Sequence, residues 1–238
     1  MRVELRRKIS IRILLLLSLT VSILLATGLV TSMNGLPAGG SFIVKARGID
    51  PSQVAEAHYQ LDAAKSTFMV RAFSGGLLWF KGHDHFIAVR DFTGEVKLTP
   101  QSISPASLQM TIKTDSLVET RDVFTEPQKQ IINKEIKEIV LHTSQYPEIT
   151  FKSTNVTGKL TSAGQFEARI EGDLTMHGVT RRIVIPAQVT LGANDLRAKG
   201  EFTLDRSDFK VNATSAFHGL VRVRNKLKFT FDILAHSY

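Results

Sequence analysis

Over most of its length the chain alternates apolar and polar residues with period two, and that pattern restricts it to strands with one buried and one wet face. Successive side chains of an extended strand point to opposite sides, so each run satisfies both environments only as half-buried β-structure. Ser66 to Phe73 sets Phe68, Val70 and Ala72 against Thr67 and Arg71. Asp91 to Leu98 sets Phe92, Val96 and Leu98 against Thr93, Glu95 and Lys97. Leu108, Met110 and Ile112 form a third stripe, and Ile149 with Phe151 a fourth. Phe166, Ala168, Ile170 and Leu174 follow, then Ile183, Ile185, Ala187, Val189 and Leu191, then Leu196, Ala198, Phe202 and Leu204. The last run is the clearest: Val221, Val223, Leu227, Phe229, Phe231 and Ile233 oppose Arg222, Arg224, Lys226, Lys228 and Asp232. The pattern predicts an all-β domain of about eight antiparallel strands, closed as a barrel or folded as a sandwich.

One stretch breaks the period. From Thr125 to Val140, Ile132, Ile136, Ile139 and Val140 recur at helical spacing, with Lys and Glu on the other face. Thr125 suits the cap and Pro127 the first turn, so a single helix is expected between the fourth and fifth strands, lying on the sheet or plugging an open end.

The N-terminus has a different character. Arg2, Arg6, Arg7, Lys8 and Arg12 precede the uncharged apolar stretch Ile13 to Val30. Residues 1–33 therefore read as a signal peptide or an N-terminal membrane anchor helix, and the small residues Ala26, Thr27 and Gly28 favour cleavage. Either way the remainder is expected across the membrane, periplasmic or secreted, anchored to the inner membrane by residues 13–30 if the segment is kept. Residues 34–57, rich in Gly, Pro and Ser, read as a linker, leaving 58–238 as the domain.

Half of the formal +8 charge belongs to that leading segment and the rest is scattered singly, which leaves no nucleic-acid footprint. With no cysteine among 238 residues, disulfides and thiolate chemistry are excluded. No G-x-S-x-G elbow, H-E-x-x-H pair, phosphate loop or dinucleotide fingerprint is present, and no cofactor is called for.

Gly172-Asp173-Leu174-Thr175-Met176-His177-Gly178-Val179-Thr180 closely resembles the G-D-L-T-x-x-G-V-T motif of the YceI-like family, and Tyr146-Pro147-Glu148-Ile149-Thr150-Phe151-Lys152-Ser153-Thr154 its Y-P-x-I-T-F-x-S-T segment. Arg206-Ser207-Asp208-Phe209, the closing strand and the opening Tyr59-Gln60-Leu61-Asp62 also fit, so the resemblance covers roughly Tyr59 to Ala235. It implies an exported, lipocalin-like antiparallel barrel holding a polyisoprenoid chain in its lumen. The sequence departs from the family pattern between Thr114 and Gln145, where Arg121-Asp122 leads directly into the Ile-rich helix. Physically, Gly178 provides permissive backbone for a hairpin turn, and Asp173 and Thr175 are expected to bond nearby backbone groups.

The candidate ligand-binding set follows from the inward stripes: Phe68, Val70, Phe92, Met110, Ile112, Phe151, Phe166, Ile170, Leu174, Ile185, Val189, Phe202, Phe229 and Phe231, with Trp79 and Phe80 between glycines as a gate at the mouth. A head group is expected near Trp79, Arg71 or His83. The bland alternatives are a filled core and an ordinary strand at 77–80. His83-Asp84-His85 is the sharpest polar cluster; a metal there needs further ligands from His142, His177 or His218, and the reading preferred is a polar strand-entry loop with no metal. Three functions are thus weighed: an exported lipid carrier for an isoprenoid or other long-chain lipid, a metal-assisted enzyme at His83 and His85, and a ligand-free structural barrel. The carrier is favoured, with a homodimer admitted and membrane contact through the N-terminal segment.

Overall fold

The computed structural model describes residues 56–78, 80, 82–216 and 221–238. The leading segment, nearly all of the linker, Trp79 and His218 lie outside the described residues. The strands are β1 (Ala57–Gly75), β2 (His85–Val89), β3 (Phe92–Leu98), β4 (Ala106–Lys113), β5 (Leu117–Glu119), β6 (Glu148–Ser162), β7 (Gln165–Met176), β8 (Val179–Leu191), β9 (Asp195–Asp205), β10 (Ser215–Ala216) and β11 (Val221–Ser237), with helix α1 (Glu126–Glu135) between β5 and β6.

Pairing runs β1, β3, β4, β6, β7, β8, β9, β11 and back to β1, so eight staves close into a barrel. Every pair is antiparallel. The remaining short strands extend this ring. β2 continues β3 along the far half of β1, pairing Met69 with Ala88 and Ala72 with His85, and β5 continues β4 beside β2. The helix therefore follows the third stave of the ring, because β4 and β5 are one stave broken by the short turn Thr114–Ser116.

The alternation read from the sequence is the burial pattern of the strands. In β7 the buried residues Phe166, Ala168, Ile170, Leu174 and Met176 alternate with more exposed neighbours. Outward residues carry ion pairs along the wet face, among them Arg182 to Asp173 at 2.7 Å and Arg197 to Asp232 at 2.6 Å. Asp173 and Thr175 thus bond across the β7–β8 hairpin to side chains, not to backbone: Thr175 Oγ1 meets Thr180 Oγ1 at 2.8 Å. The reason is register, since Thr175 stands opposite Thr180 and Asp173 opposite Arg182. That hairpin turns through His177 at φ 51° and Gly178 at φ 72°, the doubly left-handed pair that matches strand twist.

One seam of the barrel is incomplete. β8 and β9 pair only from Gln188 with Lys199 to Leu191 with Leu196. Pro186 has no N–H to carry the ladder further. Beyond it the 3₁₀ turn Arg206–Phe209 covers the gap, with Phe209 only 1% exposed.

Helix α1 starts where its capping residues require: the Thr125 N–H donates to Gln128 Oε1 at 2.8 Å, and Pro127 sits in the first turn. From Ile136 to Val140 the helix widens into a π turn. That extra residue rotates the expected stripe, so Ile132, Ile136 and Val140 face the barrel interior while Ile139 is 52% exposed. Asn133 Oδ1 accepts the Glu119 N–H at 2.7 Å and ties the helix to β5.

A candidate ligand-binding lumen

Inward residues of all eight staves surround a cavity of about 490 Å³, inside the ~300–1,000 Å³ range of small-molecule sites. Of the residues singled out from the sequence, Phe68, Val70, Met110, Ile112, Phe151, Ile170, Leu174, Ile185, Val189, Phe202, Phe229 and Phe231 line it. Their aromatic rings cluster: Phe202 stacks on Phe229 at 4.9 Å between centroids, and Phe68 meets Phe231 edge-on at 6.5 Å.

Three of the predicted residues stand elsewhere. Phe80 is 63% exposed on the loop after β1 and does not reach the lumen, because the chain there has left the ladder and no strand alternation directs it inward. Phe92 is buried, but the Phe68 ring meets it edge-on at 6.4 Å and it is Phe68 that borders the space. Phe166 is buried at the hairpin end of β7, within the packed core and away from the cavity wall.

Lining residues absent from the predicted set come from two sources. Leu61, Ile87, Val89, Leu108, Leu117 and Leu227 sit on strands where the alternation was already visible or interrupted by a short break. Ile103 comes from the β3–β4 loop, is buried and lines the lumen, which no periodicity signals. Gly158 leaves room for it: a Cβ there would stand 2.3 Å from Ile103 Cδ1.

The two ends of the lumen differ in polarity. The far end is mostly apolar, with Ser107 its polar residue, whereas the end under α1 is bordered by His83, His85, Glu135, Arg206, Thr214, Ser215 and Arg222. Behind this rim lies Glu119, whose side chain has no exposed surface. Its Oε2 meets His85 Nδ1 at 2.8 Å, and its Oε1 accepts the N–H groups of Arg121, Thr120 and Phe86 at 2.8, 3.0 and 3.2 Å. Burial opposes ionisation of this carboxyl, but the bonds from His85, Arg121 and Phe86 outweigh it and hold Glu119 below the usual carboxylate range.

The His83-Asp84-His85 triplet does not converge. Asp84 turns away to accept Arg71 Nη2 at 2.7 Å and the Ser74 N–H at 2.9 Å. His85 stacks on Phe124 at 5.3 Å, with His83 edge-on to the same ring. His142 and His177 pair with each other at 5.3 Å, and His177 packs on Tyr146. Among the described residues no three His, Asp or Glu groups form a metal-binding cluster. Of the expected head-group contacts, His83 borders the lumen, whereas Arg71 lies outside it with its guanidinium over the Phe73 ring at 4.6 Å.

Comparison with known proteins agrees with this geometry. The model of the YceI-like domain matches residues 59–235. A UPF0312 protein of Vibrio parahaemolyticus is 27% identical over 172 residues, covering 72% of this chain and 76% of the relative. UPF0312 relatives from Vibrio cholerae are 34% identical over 97 residues, and there the match spans about half the relative, 46% of its length. Among solved structures, BcnA of Burkholderia cenocepacia superposes with a TM-score of 0.56 at 20% identity, over 73% of this chain and 98% of that one. A polyisoprenoid binding domain from Saccharophagus degradans superposes with a TM-score of 0.53 at 14% identity, over 76% and 98%.

Proposed function

The chain belongs to the YceI-like domain family, and from that premise we propose that it is an exported carrier whose barrel lumen sequesters a polyisoprenoid or similar long apolar chain. The observation that carries this reading is the apolar space of about 490 Å³, walled by alternate residues of every stave and most polar at the end under α1. Such a space suits an amphiphile with its tail inward and its head under α1. Each methylene moved from water to the lumen contributes ~0.8 kcal/mol, so even a modest tail binds firmly. The solved neighbour described as a polyisoprenoid binding domain supports an isoprenoid tail. The basic cluster ahead of the apolar stretch 13–30 supports export, with the protein released or held at the membrane according to whether that segment is cut. We read the role as binding and not catalysis.

The test is to fill the lumen. Ala168 is buried on β7 and borders the cavity. Ala168→Trp places an indole in that space. The carrier reading expects Nile red, a neutral apolar dye, to bind the full chain and to bind the variant at least about tenfold more weakly, with the melting temperature little changed. Equal dye binding by both proteins contradicts it.

A further inference from the structure

Two segments that border the lumen meet through a pair of histidines. Val140 and Leu141 line the cavity at the end of the π turn, and His142 follows them; Met176 lines it at the end of β7, and His177 follows. The two imidazoles pack edge-on with centroids 5.3 Å apart, and the Tyr146 ring lies 4.4 Å from His177. Both histidines sit where the chain turns, at φ 48° and 51°. The contact therefore joins the exit of helix α1 to the β7–β8 hairpin.

The surroundings of His177 favour a neutral ring. It donates to the Phe209 backbone, and its Nε2 is buried with no partner among the described residues. A neutral imidazole has one donor and one acceptor nitrogen, so in this arrangement Nε2 carries no proton. Adding one buries a charged N–H without an acceptor, beside a second imidazole able to take the same charge. Burial first, and the charge of His142 second, hold His177 below its ordinary value of 6.5. The charged groups of the surrounding elements do not relieve this. Arg181 Nε donates to the Asp208 carbonyl at 3.2 Å, Arg206 Nη1 to the Val211 carbonyl at 2.8 Å, and Glu138 meets Lys134 at 3.9 Å. Asp208 is exposed, and Lys137 approaches the 142–146 turn through its backbone carbonyl, which accepts the Thr143 N–H at 2.9 Å. The influences on His177 include no carboxylate that would stabilise its charged form.

We propose that this contact is an acid-operated latch: protonation of His177 and His142 drives the 142–146 turn away from the β7–β8 hairpin and opens the lumen at the end under α1. The inference rests on the carrier reading and adds the condition under which cargo is released. Once separated, His177 regains water and takes a proton more readily than in the closed form. The closed form is therefore fully favoured above 6.5, and opening gains as pH falls below that value.

The experiment is stopped-flow release of Nile red, a dye that stays neutral over this range, from the full chain at pH 7.5 and pH 5.5, with far-UV circular dichroism recorded at both. The latch predicts release about fivefold faster at the lower pH, with the β-sheet spectrum unchanged. His177→Phe, which keeps an aromatic ring but cannot titrate, should make release nearly independent of pH, and His142→Gln should reduce the response. Dye that binds but leaves the wild type at the same rate at both pH values overturns the latch and leaves the carrier reading intact. A full acceleration retained in both variants assigns the effect to other groups and also overturns it, as does loss of the folded spectrum at pH 5.5. Failure of the dye to bind at either pH overturns the carrier reading and this inference together.

Discussion

Glu119 concentrates the electrostatics of the polar rim in one side chain. Its carboxylate has no exposed surface, yet it accepts three backbone N–H groups and faces His85. Because its folded-state pKa lies below the ordinary value of 4.5, the stability it provides is present above that value and is lost as pH falls through the folded one. Glu119→Gln, which keeps the shape but removes the charge and leaves N–H groups under-satisfied, should destabilise by about 1–3 kcal/mol at neutral pH. The gap to wild type should narrow as pH drops below about 4.5, measured by denaturant titration across pH. A gap that is constant or widens on acidification would count against an ionised Glu119. Nothing in the sequence marks this residue, which sits in the three-residue strand β5. The eye goes instead to His83-Asp84-His85, whose members are contiguous in sequence but engage Phe124, Arg71 and Glu119 separately.

Among the elements, α1 is both the most legible and the most altered. Its existence, its capping by Thr125 and Gln128 and its inward residues Ile132 and Ile136 follow from helical spacing and end chemistry. The π turn after Glu135 does not, because periodicity assumes a constant rise and cannot register an inserted residue; Ile139 turns outward as a result. The helix covers the polar end of the lumen and is fastened to β5 by the Asn133 to Glu119 bond. Asn133→Leu removes that acceptor. It should speed release of Nile red several-fold in stopped-flow measurements, with a smaller effect on global melting. An unchanged release rate would mean that α1 does not gate the lumen.

For the whole molecule, period-two alternation determines which side chains turn inward but not whether the sheet closes. Closure depends on β1 meeting β11 from Tyr59 with Ser237 to Gly75 with Arg222, a pairing between the two ends of the domain that no local pattern encodes. Nor does alternation distinguish a wall from a plug: Phe92 and Phe166 are buried like the lining residues, yet neither borders the lumen, and the Phe68 ring meets Phe92 edge-on. The family motifs imply the closed barrel, whereas the free space depends on how side chains from distant strands pack against one another. The central claim is that this space holds a lipid chain. Native mass spectrometry of the full chain purified from its own host tests it most directly. The account predicts a one-to-one adduct with the mass of a long-chain lipid, released by organic solvent and lost in Ala168→Trp; wild-type protein carrying no adduct, or an adduct undiminished in that variant, would contradict it.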